Sequence, residues 1–156
     1  MGFRTFTTLM MVTVLGGLVQ LGLFMVENQD SPRKAALEFS EAYFGVDRSM
    51  EDRICTERLV VDGVDVVAAH IDAAEMDARA RGFELSCYVR QSLYNVATTV
   101  ISRDEDSATV RINGVSKSPV RAFFTGESQV VDAEISVVRQ DGQWRVCGAL
   151  FDLSMG

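Results

Sequence analysis

The feature that most constrains this chain is an unbroken apolar run near its start. From Phe6 to Val26 the sequence reads FTTLMMVTVLGGLVQLGLFMV, 21 residues with no formal charge and one strongly polar side chain, Gln20. A hydrocarbon core of about 30 Å takes about 20 helical residues at roughly 1.5 Å each, so the run is long enough to span a bilayer. A cleaved secretory leader ends in a small-x-small site. This run ends instead in Phe24-Met25-Val26-Glu27-Asn28. The expectation is an uncleaved, single-pass anchor: a stub and transmembrane helix over 1–26, a spacer at 27–30, and one folded domain over 31–156.

Thr13, Gly16, Gly17 and Gln20 fall on one stripe of that helix. Small residues let a second helix approach closely, and a Gln or Thr side chain then hydrogen-bonds across. The stripe points to a membrane-protein partner or to self-association through the helix, although glycine is also common in membrane helices. Arg4 precedes the run, and Arg33 and Lys34 follow it. Counting positive residues therefore leaves the orientation open. The layout of a short stub, an anchor and a domain of about 130 residues is that of bacterial inner-membrane proteins with the carboxy-terminal domain on the periplasmic side.

The rest of the composition belongs to the domain. A chain of 156 residues fits one domain beyond the anchor. From Glu27 onward it carries 14 basic against 22 acidic side chains, a net of −8. Nucleic-acid binding is not expected, because it needs a basic face to displace counterions from phosphates. An acidic body also gains nothing from an anionic leaflet, so contact with the lipid bilayer falls to the anchor. The four-residue spacer extends at most about 14 Å and keeps the domain near the membrane surface.

Ser31-Pro32 reads as a helix start, with Ser at the N-cap and Pro at the first helical position. Ala36, Phe39, Tyr43 and Val46 give that helix a buried stripe, and Gly45 lies near its end. A second helix is expected from Met50 to Arg58, capped by Ser49. A third runs from Val64 to Ala80, with Val67, Ile71, Ala74 and Ala78 on one face and Gly82 as terminator. The period then changes to two. Strands are expected over Phe83–Val89 and Val96–Ser102, with a bulge or bend around Gln91–Tyr94. Further strands bury Ala108, Val110 and Ile112, then Val131, Ala133, Ile135 and Val137. Asp141-Gly142 marks a tight hairpin before a last strand from Trp144 to Phe151. The predicted fold class is α+β: about three helices on a curved, about four-stranded antiparallel sheet.

This order, closing on Asp141-Gly142-Gln143-Trp144-Arg145-Val146, resembles the nuclear-transport-factor-2-like superfamily, the cystatin-like α+β cone. The resemblance covers about residues 31–154, with motif character only in the last hairpin. It implies a cone fold and either of two uses. One is binding or scaffolding without catalysis. The alternative is a small-molecule-binding or isomerase- or dehydratase-like pocket inside the cone, where Tyr43, Asp62 and Asp132 stand at the positions of a phenol donor and carboxylates. Asp132, however, alternates out of phase with Val131, Ala133 and Ile135 and so is expected to face outward, and core packing explains Tyr43. No catalytic set is therefore assigned, and His70 is read as a structural or surface histidine.

Cys55, Cys87 and Cys147 lack the spacing of a zinc or redox motif, so no metal or cofactor is expected. Outside the cytoplasm two of them can form a disulfide. Cys55–Cys87 is the first choice, with free buried thiols equally in play. In Val115–Gly126, Pro119 interrupts the strand pattern, and Phe123 and Phe124 stand beside Arg121. Adjacent residues of one strand point to opposite faces. One of the two Phe is thus a candidate contact to a partner or the membrane interface, or simply an exposed aromatic. The expected function is an accessory or assembly subunit of a membrane complex.

Overall fold

The computed structural model describes residues 30–84, 90–118, 126 and 128–148, together with residues 11 and 16. The chain divides into two compact units, Met1–Asp30 and Ser31–Gly156. In the first, Met11 and Gly16 are helical. The expected membrane span at 6–26 otherwise lies outside the described residues. Among the described residues no helix is long and apolar enough to cross a membrane.

The second unit is α+β. Its first helix, α1 (Pro32–Gly45), starts as the sequence predicts: the Ser31 side chain accepts from the Lys34 N–H at 3.2 Å and Pro32 occupies the first turn. Ala35, Ala36, Phe39, Tyr43 and Phe44 are buried along one side. The Ser40 hydroxyl turns back to donate to the Ala36 carbonyl at 2.8 Å, which satisfies it in the core. Gly45 does not supply the stop. Val46 does, in the left-handed region at φ 50°, and its N–H and that of Asp47 take the last carbonyls of the helix.

The helix expected from Met50 to Arg58 is broken in two. A 3₁₀ turn at Arg48–Arg53 is capped by Asp47, not Ser49, with the Asp47 carboxylate accepting from the Ser49 N–H at 2.8 Å. A four-residue helix, α2 (Thr56–Leu59), follows. Between them Ile54 and Cys55 leave helical geometry, because Ile54 forms a parallel bridge to Val146 and the Cys55 N–H donates to the Val146 carbonyl at 3.0 Å. A tertiary pairing thus overrides local helix propensity.

A small hairpin comes next, β1 (Val60–Val61) and β2 (Val64–Asp65), turning on Asp62-Gly63 with both residues at positive φ. Val64 and Asp65, expected to open the third helix, form the second strand of this hairpin. α3 therefore begins two residues late, at Val66–Ala80, with the Asp65 carboxylate accepting from the N–H groups of Val67 and Ala68 at 2.9 and 3.0 Å. Its inward residues, Val67, Ile71, Ala74 and Ala78, are those the periodicity marks, and Gly82 ends it at φ 79°.

Four antiparallel strands form a meander in sequence order: β3 (Ser92–Arg103), β4 (Ser107–Lys117), β5 (Gln129–Gln140) and β6 (Gln143–Val146). The expected strand at 83–89 falls largely outside the described residues. The irregularity placed at 91–94 lies between Tyr94 and Ala97, where Asn95 takes φ 52° and lets two residues oppose one on β4. Asp141 and Gly142, at φ 51° and 80°, make the β5–β6 turn as predicted. Phe39, Met50 and Ile54 from the helical layer meet Val110, Ile112, Val131, Val137 and Val146 from the sheet, each with relative exposure under 2%. α1 lies across all four strands and closes that core.

Candidate functional site

α1 and α3 bring an aromatic and an imidazole ring together. The Tyr43 ring stacks on the His70 imidazole, with centroids 4.5 Å apart and planes 19° from parallel, and meets Phe44 edge-on at 5.2 Å. His70 Nε2 lies 3.3 Å from the Tyr43 carbonyl oxygen, an acceptor, so Nε2 carries the proton of that bond. Burial holds the His70 pKa below its ordinary value, partly offset by that carbonyl, and the ring is neutral at pH 7. Beside the stack lies a groove of about 280 Å³ lined by Tyr43, His70, Ala73, Ala74, Gln91 and Gln129. The 27-residue gap between Tyr43 and His70 hides this contact from any helical period.

Asp62 and Asp132 do not join that groove. Asp62 sits exposed in the β1–β2 turn. Asp132 faces solvent, as its strand phase predicts, and holds Arg111 in a two-point ion pair at 2.7 Å on each oxygen. Those hydrogen bonds keep the Asp132 carboxyl below the usual carboxylate range and raise the Arg111 guanidinium. An exposed, ionised and occupied carboxylate is a poor proton acceptor. The three residues of the isomerase-like alternative thus stand apart, Tyr43 buried and Asp62 and Asp132 exposed on different elements.

A second groove, about 500 Å³, runs between α1, the 3₁₀ turn and the approach to β3, with Glu38, Glu41, Asp47, Asp52, Arg53 and Arg90 at its wall. Glu38 is taken by Arg53, at 2.5 Å to Nη2 and 2.6 Å to Nε, and Arg53 also donates to the Trp144 carbonyl at 3.3 Å. The Asp47 carboxyl is held low first by the Ser49 backbone N–H. Arg53 thus ties the 3₁₀ turn to α1 by an ion pair and to β6 by a hydrogen bond.

The cysteine pairing differs from the first choice. Cys55 is bonded to Cys147, not to Cys87, which lies outside the described residues. The Ile54–Val146 bridge places the two Cα atoms 5.3 Å apart, inside the span a disulfide closes. Glu57 stands close to both sulfurs. The disulfide consumes the thiolates a metal would need, and the Glu57 carboxylate accepts from the Gln140 amide at 2.9 Å on each oxygen.

Of the proposed helix-packing residues, Gly16 is exposed with open space where a Cβ would stand. Thr13, Gly17 and Gln20 lie outside the described residues, as do Arg121, Phe123 and Phe124. No family model matches the chain, and no curated protein matches it.

Proposed function

We propose that the chain is a single-pass, membrane-anchored accessory or assembly subunit whose α+β domain works through protein contacts on the extracytoplasmic side. The reading rests on the scatter of candidate reactive groups around a filled core. Tyr43 is packed in an aromatic stack, Asp132 is held by Arg111, and Asp62 stands alone in a turn. The described core between α1 and the sheet is filled by side chains such as Phe39, Met50 and Ile112, each with relative exposure of 1% or less.

The Cys55–Cys147 disulfide supports an oxidising compartment. The apolar run at 6–26, ahead of a separate compact unit that begins at Ser31, supports the anchor. Helices first, then a meander closing on Asp141-Gly142-Gln143-Trp144, support the likeness to a nuclear-transport-factor-2-like cone. The test is the native mass of the tagged full chain after extraction in mild detergent. The expected result is a complex above the 17.2 kDa chain mass that is weakened by Gly16→Leu with Gly17→Leu. A lone monomer, unchanged in cells by those substitutions, overturns it.

The Tyr43–His70 groove favours one second reading, a small-molecule binder. It predicts that a bound ligand perturbs the His70 ring resonances. A ligand that binds the chain and leaves those resonances in place removes this reading.

A further inference from the structure

The two edges of the main sheet are treated differently. The β6 edge is short and is occupied by Ile54 and Cys55 through a bridge, a backbone hydrogen bond and the disulfide. The β3 edge is long. Among the described residues β3 pairs only with β4. From Ser92 to Ser102 it reads SLYNVATTVIS, eleven residues with no charge and no proline. Proteins blunt such an edge with Lys, Pro or β-bulges, because open N–H and C=O groups template another strand. Here two bulges break it and leave a regular stretch from Ala97 to Val100 between them.

Those bulges flank Thr98, with Asn95 and Val96 out of the ladder on one side and Ile101 on the other. Around Thr98 the ladder with β4 is regular at Ala97 and Thr99, and the register shifts lie between Tyr94 and Ala97 on one side and between Val100 and Ser102 on the other. We propose that this edge is a self-pairing surface, on which two copies of the chain join β3 to β3, antiparallel, about a dyad through Thr98. In that register Ala97 opposes Thr99 and the bulged segments oppose each other. Tyr94 opposes Ser102, beside Ile101, and the exposed faces of the two copies stay on one side as the pleat requires.

Side-chain chemistry fits the same register. Tyr94 and Ile101 are 45% and 50% exposed, large apolar groups that the seam brings next to each other across copies. Arg90 precedes the strand and Asp104-Glu105-Asp106 follows it, all exposed. Antiparallel pairing sets the Arg90 of each copy against the acidic turn of the other, twice per dimer. Two acidic domains thus meet along the uncharged stretch Ser92–Ser102, with Arg90 near one end and the acidic turn beyond the other. A dyad at right angles to the sheet also leaves both helical layers on one side.

The test uses the full chain in detergent on a Cys87→Ser background, with Thr98→Cys as the reporter. At the dyad this residue faces its own copy, about 5 Å between Cβ atoms. Mild oxidation is expected to give a reducible band at twice 17.2 kDa. Arg90→Glu lowers the linked fraction roughly fivefold, since each exposed contact is made twice, and adding Glu105→Arg restores it. Arg90 also lines the groove beside Asp47 on its own copy. Restoration by Glu105→Arg therefore separates the seam from a local effect, and circular dichroism confirms that each variant is folded. A chain that stays unlinked at Thr98→Cys, or a yield indifferent to Arg90→Glu, overturns the seam. A dimer held only through residues 6–26 gives the first of these results and leaves the assembly proposal standing.

Discussion

Removing the covalent tie between Cys55 and Cys147 is expected to loosen the whole domain. The bond links positions 92 residues apart, so its loss frees a large loop in the unfolded chain. The loop-entropy relation for a loop of that size gives about 4.6 kcal/mol at 25 °C. The native side loses less, because the Cys55 N–H bond to Val146 and the Ile54 bridge do not depend on sulfur. Trp144, the single tryptophan, lies on β6 three residues before Cys147 and is 3% exposed, so its fluorescence reports the unfolding of this edge. Urea titration of the full chain in detergent, oxidised and reduced, is expected to differ by about 3–5 kcal/mol, or roughly 2 M in midpoint for a domain of this size. Tryptic mapping without reductant is expected to join peptide 54–58 to peptide 146–156, leaving peptide 82–90 with a free thiol. Superimposed titrations, or Cys55 linked to peptide 82–90, refute the reasoning.

Three further outcomes follow from the packing. Phe39→Ala empties a site that is 1% exposed at the centre of the core and is expected to cost about 3–5 kcal/mol in the same titration. Asp65→Ala removes the acceptor for two N–H groups of α3 and is expected to cost about 1 kcal/mol, with a loss of helical dichroism at the onset of unfolding. His70 has its folded pKa lowered, so the folded state binds a proton less readily than the unfolded one. Its neutral form fits the stack, and stability is expected to decline as pH falls through about 6.5, the free-histidine value. His70→Phe is expected to flatten that limb of the stability profile, and an unchanged slope counts against the Tyr43–His70 stack.

What was legible in the sequence is local chemistry repeated at a fixed period. Ser31-Pro32 caps α1, Val67, Ile71, Ala74 and Ala78 face inward on α3, and Asp141-Gly142 turns a hairpin, because each signal is complete within a few residues. The α+β order follows from where the period changes after Gly82. The break at Ile54-Cys55 is different. Nothing near those residues ends a helix; Val146, far along the chain, pulls them onto the edge of β6. The same distant contact decides the disulfide, so that Cys147 and not Cys87 is the partner of Cys55. The β1–β2 hairpin carries the same Asp-Gly signal as the later turn, but its strands are two residues each and lie too close to α3 to show alternation. The Tyr43–His70 contact joins two helices whose separate patterns say nothing about each other.

The proposed function requires residues 6–26 to root the domain 31–156 on the outer face of a membrane. Protease treatment of intact bacterial spheroplasts expressing the chain with a carboxy-terminal tag tests it most directly, after a carbonate wash of the membranes. The chain is expected to resist the wash, and protease to remove the tag without lysis. A chain released by carbonate, or a tag protected until the cells are opened, contradicts it.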